Sequence, residues 1–136
     1  MNYSVILLAA GKGTRTNLDY NKVLYKFSDG QTVLSRCLET FSDDSECRQI
    51  IVVCADYEID DIAGSYSQWD KTCFVTGGAT RQDSVWNGLQ KVDQEIVLIH
   101  DAARPFFKKK NLEDLKKRLE QDDAALLMVP AVDTVK

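Results

Sequence analysis

The sequence predicts a doubly wound α/β domain built on a mainly parallel sheet, and two observations carry that expectation. Short apolar runs alternate with segments of helical periodicity along the chain, the order that yields a parallel sheet with right-handed crossovers. The runs themselves are apolar on both faces instead of alternating, as expected of strands covered by helices on either side.

Each element follows from its residues. Tyr3 to Ala9 is the first expected strand, and Val23 to Phe27 is a short extended piece ending in the turn signal Ser28-Asp29-Gly30. Thr32 to Phe41 sets Val33, Leu34, Cys37, Leu38 and Phe41 on one helical stripe, with Gln31 or Thr32 near the N-cap. Gln49 to Ala55 is a second strand, rich in β-branched residues, and Ile59 to Tyr66 a shorter, weaker helix. Thr72 to Thr76 is the third strand, and Arg81 to Val92 a helix with Val85, Trp86 and Leu89 at helical spacing. Glu95 to His100 is the fourth strand. Asn111 to Gln121 is a helix carrying Leu112, Leu115 and Leu119, with Asn111 as its cap and Glu113 and Asp114 in its first turn. Ala124 to Val129 is the fifth strand. Pro130 to Lys136 follows with no closing helix or turn, so the chain reads as cut in mid-element.

At 136 residues, 44% hydrophobic and 28% charged, the chain is read as one globular domain over 1–136. No apolar run reaches the roughly 18 residues of a membrane span. Val5 to Ala10 is too short for a signal peptide and lacks a basic leader, so a cytoplasmic place is expected. A net charge of −4 argues against a nucleic-acid partner. An anion site must then gather its cations locally, and Lys12, Arg15, Lys22 and Lys26 do so, opposed only by Asp19. Salt screens the distant negative charges. Cys37, Cys47, Cys54 and Cys73 form no paired spacing and read as reduced thiols in or near the core.

Three segments fall at the expected C-terminal ends of strands, where an open α/β sheet receives its ligand. In the first, Ala9 and Ala10 lead into a turn holding Gly11 and Gly13, with Arg15 and Lys22 beyond. Small residues let backbone N–H groups approach a polyanion, and the two cations neutralise it, which points to a nucleoside triphosphate. The pattern is neither the dinucleotide GxGxxG nor a Walker loop, and by itself it also fits a tight turn with solvated cations. In the second, Gly77 and Gly78 admit a flat base edge to a backbone-lined slot, suited to a pyrimidine, with Ser84 in the next helical turn. The same residues read as a turn with Thr80 as N-cap and Asp83 as the capping acid, and both readings hold together. In the third, Asp101 is placed to receive ribose hydroxyls or to help position Mg²⁺, and Arg104 to grip a phosphate; an Asp–Arg pair that merely stabilises the loop is the alternative. His100 is assigned no chemistry, Lys108 to Lys110 read as solvated surface, and Trp69 and Trp86 as packing residues instead of a base-stacking platform.

Taken in order, Ala9 to Arg15, Lys22, Gly77-Gly78 with Arg81 to Val85, His100 to Pro105, and Asp133-Thr134 resemble the nucleotidyltransferases that join a sugar or polyol phosphate to a nucleotide. Within them the chain is most similar to the 2-C-methyl-D-erythritol 4-phosphate cytidylyltransferases. The opening motif is shared widely; the second and third segments narrow the match. Ala9-Ala10 tilts it away from the related ribitol-5-phosphate cytidylyltransferases. Thr16 and Asn21 stand where the family often has methionine and proline.

The resemblance implies a Rossmann-like nucleotidyltransferase fold and a set of roles. Ala9, Ala10, Gly11 and Gly13 would wrap the phosphates of CTP; Gly78, Ala79 and Ser84 would read cytosine; Asp101 and Ala102 would hold the ribose. Asp101, Arg104 and Thr134 would meet the polyol phosphate, and Arg15 and Lys22 would stabilise the transition state, with Mg²⁺ bridging the triphosphate. It also implies homodimers and a C-terminal arm beyond Asp133-Thr134, so a CTP-binding fragment without turnover stays open beside the enzyme. A nicotinamide dehydrogenase is disfavoured by the missing third glycine and by Asp56 as the sole candidate for its ribose acid.

Overall fold

The computed structural model describes residues 2–10, 24, 26–102, 110, 112–114, 116 and 117. Its elements run β1 (Tyr3–Leu8), α1 (Val33–Ser42), β2 (Cys47–Cys54), α2 (Ile59–Ser65), β3 (Thr72–Thr76), α3 (Arg81–Leu89) and β4 (Val97–Asp101). The four strands are all parallel, in the order β3-β2-β1-β4. The expected fifth strand and the segment 11–23 lie outside the described residues. Lys110 is already helical, so that helix starts ahead of the cap expected at position 111.

Strand pleat divides the core in two, because successive side chains point to opposite faces. Tyr3, Val5, Leu7, Ile50, Val52 and Cys54 pack with α1, Ile62 of α2 and Leu112 on one face. Ile6, Leu8, Ile51, Val53 and Val75 form the second cluster, packed with Val85 of α3. Helices on both faces bury β1 throughout and β2 from Ile50 to Cys54, almost all of it apolar, whereas β4 alternates between buried and half-buried positions.

The first helix is fixed by its start. Gly30 turns the chain at φ +87°, a value that favours glycine. Thr32 Oγ1 accepts the Ser35 N–H at 3.0 Å, and Ser35 Oγ accepts the Thr32 N–H at 2.8 Å, a reciprocal cap that satisfies two otherwise orphaned donors.

Helix α3 corrects its expected packing. Of Val85, Trp86 and Leu89 only Val85 packs on the core: Ser84 and Gly88 are buried, while Trp86 is 63% exposed and Leu89 is exposed too. A Cβ on Gly88 would meet Ile6 Cγ2 at 3.0 Å and Val53 Cγ2 at 3.3 Å. The helix therefore rides close on β1 and β2, and the missing side chain permits that approach.

The cysteines behave as the spacing implied. Cys37, Cys47 and Cys54 are buried thiols outside any disulfide, and Cys73 is a half-buried one. Burial pushes the Cys37 and Cys54 thiols up to about 12 and Cys47 up to about 11, so they are inert thiols at neutral pH.

At the N-terminal ends of the strands sits an ion cluster built on the buried Lys116 and Asp44. Lys116 Nζ lies 2.6 Å from Asp44 and from Glu46, and 3.2 Å from Glu113. The Tyr3 hydroxyl donates to Asp44 at 2.7 Å. Burial alone pushes Lys116 down, but the three carboxylates outweigh it and raise it.

Candidate active site

The strand order places a switch point between β1 and β4. After β1 the chain builds β2 and β3 to one side, then returns to lay β4 on the other. The connection back is α3, which passes over β1 and β2 and so carries its N-terminus to the crevice at the strand ends. That crevice is where open α/β sheets bind ligands.

The loops there are pinned by backbone hydrogen bonds to neighbouring strands. Ala9 N–H donates to Val53 at 2.8 Å, Gly77 N–H to Cys54 at 2.7 Å, and Ala102 N–H to Leu8 at 3.0 Å. The Cys37 thiol donates to the Ala102 carbonyl at 3.5 Å. Between these anchors lies a hollow of about 270 Å³, walled by Leu8, Ala10, Gly78, Ala79, Thr80, Arg81, Ser84 and Asp101. Its size approaches the lower end for small-molecule sites, about 300 Å³.

One wall is a compact hook. Thr80 caps α3, its Oγ1 accepting the Asp83 N–H at 3.0 Å. Ser84 is 5% exposed, and its Oγ accepts the Gly78 N–H at 3.1 Å. A Cβ on Gly77 would stand 2.8 Å from Ser84 Oγ and 3.1 Å from Ala10 Cβ, and a Cβ on Gly78 would collide with Asp83. Both glycines are thus required by space. Ser84, used here as an acceptor, keeps its own proton for another partner.

The opposite wall ends in Asp101, the last residue of β4, paired with Leu8 of β1. The sequence reading set Asp101 after the strand; pairing with β1 carries the strand one residue further. Arg81 Nη1 approaches Asp101 Oδ2 at 3.9 Å. Arg81 has no role in the sequence reading, although it opens the helix that follows the glycine pair. His100 is buried, with its ring centroid 5.9 Å from that of Phe41.

Of the expected site residues, Ala10, Gly78, Ala79, Ser84 and Asp101 line one hollow, and Ala9 and Ala102 flank it in sequence and are buried. Gly11, Gly13, Arg15, Lys22, Arg104 and Thr134 lie outside the described residues. Among the described residues no three His, Cys, Asp or Glu side chains form a metal cage. Asp101 supplies one hard oxygen donor on the wall of the hollow, the ligand type that a Mg²⁺ carried by phosphate takes. No helix among the described residues is long and apolar enough to cross a membrane.

Comparison with known proteins agrees with this geometry. The family model for 2-C-methyl-D-erythritol 4-phosphate cytidylyltransferase matches residues 3–136. The protein of that name from Halalkalibacterium halodurans is 36% identical over 140 residues, covering 100% of this chain and 61% of the relative. The structure of 4-diphosphocytidyl-2C-methyl-D-erythritol synthase from Anaerococcus prevotii superposes with a TM-score of 0.74 at 30% identity, over 89% of this chain and 52% of that one. The Francisella tularensis 2-C-methyl-D-erythritol 4-phosphate cytidylyltransferase gives 0.70 at 31% identity, over 90% and 54%. The chain thus spans about three-fifths of the curated relative's length. With the family model matched from residue 3 to residue 136, the chain belongs to the 2-C-methyl-D-erythritol 4-phosphate cytidylyltransferase family.

Proposed function

We propose that this chain carries the nucleotide half of a cytidylyltransferase, which moves the cytidylyl group of CTP onto 2-C-methyl-D-erythritol 4-phosphate and releases pyrophosphate. The observation that supports this most is the pairing of a base-sized slot, closed by the Ser84 to Gly78 hydrogen bond, with Asp101 across one hollow.

The slot suits cytosine. Ser84 Oγ already accepts from Gly78, so its proton is the group left to offer, and cytosine N3 and O2 are acceptors. Uracil presents an N3–H donor at the first of those positions, which would face a second donor. The exposed backbone of Gly78 and Ala79 supplies carbonyl oxygens to accept from the exocyclic amine. Asp101 receives the ribose hydroxyls, and Ala102 backs it.

The reaction asks little of acid–base chemistry. A phosphate monoester is a dianion near neutral pH and attacks the α-phosphorus in line; an O–P bond forms as the bond to the pyrophosphate leaving group breaks. The task is to bring two anions together and to hold the charge that grows on the phosphoryl oxygens. Gly11 and Gly13 would let backbone N–H groups reach the phosphates, Arg15 and Lys22 would hold the transition-state charge, and Arg104 and Thr134 would receive the acceptor phosphate. Mg²⁺ carried by the triphosphate would neutralise part of its charge.

Pyrophosphate release from CTP and Mg²⁺, with methylerythritol phosphate or ribitol phosphate as acceptor, tests this. Release with the first acceptor, falling on the order of 10²–10³-fold in Arg15→Ala or Lys22→Ala, is the expected outcome. Binding of UTP as tightly as CTP would overturn the reading.

A further inference from the structure

We infer that Arg81 is a positioning residue for nucleotide binding: from the first turn of α3 it holds the Asp101 carboxylate across the mouth of the hollow, oriented for the ribose hydroxyls. The inference rests on the CTP reading above and deepens it.

Three observations carry it. Arg81 Nη1 stands 3.9 Å from Asp101 Oδ2, and both residues line the same hollow from opposite walls. The pair links α3 to the end of β4, elements joined there by no sequence neighbour. Second, the contact does little for folding. The Arg81 side chain is 58% exposed and that of Asp101 27%, and ion pairs so open to water add little stability. Third, Arg81 occupies the first position of α3, just after the Thr80 cap. A cation there opposes the helix dipole, whose positive end lies at the N-terminus. A residue that breaks a local stability rule and gains little for the fold in return is placed for something else.

The chemistry of the pair shows what that is. At 3.9 Å, beyond hydrogen-bond reach, the guanidinium still attracts the nearer carboxylate oxygen, and that attraction biases carboxylate rotation. The other oxygen is then left toward the crevice. A vicinal diol donates two hydrogen bonds to a carboxylate so held, and an unheld carboxylate must be ordered at the moment of binding. Arg81 therefore acts through Asp101, and its effect appears only when the ligand carries ribose hydroxyls.

The test compares affinity of this chain for Mg·CTP and for Mg·2′,3′-dideoxy-CTP by titration calorimetry, in wild type, Arg81→Met and Arg81→Lys. Wild type should prefer CTP by about tenfold or more, the worth of hydrogen bonds to a charged acceptor. Arg81→Met should reduce that preference to about threefold or less by weakening CTP alone, with dideoxy-CTP within about twofold of wild type. Arg81→Lys should retain an intermediate preference, and both variants should melt as wild type does. An undiminished preference in Arg81→Met, or equal weakening of both nucleotides, overturns the inference and leaves the CTP reading standing. A wild-type chain that binds neither nucleotide overturns the CTP reading itself, and this inference with it.

Discussion

The tightest prediction concerns Gly78. Substitution by alanine places a Cβ roughly 1 Å inside carbon–carbon contact distance of Asp83 Cβ, and 3.3 Å from the Asp83 carbonyl carbon. Asp83 cannot yield easily, because its N–H is held by Thr80 Oγ1 at 3.0 Å. The exposed loop must retreat instead. Retreat breaks the 3.1 Å bond from Gly78 N–H to Ser84 Oγ and displaces the backbone edge proposed to meet the base. Two neutral hydrogen bonds at about 0.5–1.5 kcal/mol each give a loss of CTP affinity of about 5- to 150-fold. The fold should persist with a change under about 1 kcal/mol, since the loop swings into solvent. Gly64→Ala is the matched control: it lies within α2 with nothing within 4 Å of a new Cβ, so it should stabilise by about 0.5–1 kcal/mol and leave CTP binding alone. Calorimetry with CTP, beside thermal melts of both variants, reads both quantities. A folded Gly78→Ala chain with wild-type affinity would refute the reasoning, because the slot would then not depend on the close approach of residues 78 and 83.

Other substitutions separate the site from its support. Gly88→Ala should destabilise by about 1–2 kcal/mol even after the helix propensity it regains, since Ile6 and Val53 are fully buried and cannot step aside; an unchanged urea midpoint would contradict this. Thr80→Ala should cost about 1 kcal/mol through the lost cap and weaken CTP binding as the first turn of α3 frays. Lys116→Ala should cost about 3 kcal/mol, because it strands a buried carboxylate, while Lys116→Met with Asp44→Asn should recover most of that loss. Burial pushes the Asp44 carboxyl up, yet hydrogen bonds from Lys116, Tyr3 and the Glu46 N–H hold it below its ordinary 3.8. Its contribution is therefore full above about pH 5 and drains as pH falls below 4. Urea titrations across that window should show the acid loss in wild type and a flatter profile in the double variant.

The frame of the molecule is legible because Val5 to Ala9 and Ile50 to Ala55 are unbroken apolar runs and the α1 stripe is regular. The order of the elements, the thiols and the caps at Thr32 and Thr80 all follow from residue type at short range. What escaped was tertiary. Trp86 and Leu89 have the right spacing for a buried stripe, yet Gly88 lets α3 approach β1 through its smallest residue, which turns Trp86 outward. Periodicity weighs side chains by hydrophobicity and so gives no weight to a residue that works by being absent. The role of Arg81 is hidden in the sequence for a related reason: its partner lies twenty positions along the chain, and only the return of α3 to the switch point brings the two to 3.9 Å. The signal available in the sequence was a cation in the first turn of a helix, where the dipole disfavours it.

The two ends of the sheet divide the work, and the division has a physical cause. At the N-terminal ends of the strands, Lys116 and Asp44 are a buried pair, with Glu46 and Glu113 closing on Lys116 from the surface, an arrangement that adds rigidity. At the C-terminal ends the ion pair is open to water, the loop hooks on glycines, and the serine keeps a proton in reserve. Parallel strands favour this split, since every loop leading into a crossover leaves from the same edge and brings its polar groups together there. Substitutions near Asp44 should then move stability with little effect on CTP, and those near Gly78 or Arg81 should do the reverse. A variant at Asp44 that changed CTP affinity at constant stability would show the two ends to be coupled through β1, whose residues Tyr3 and Leu8 bound the cluster and the hollow respectively.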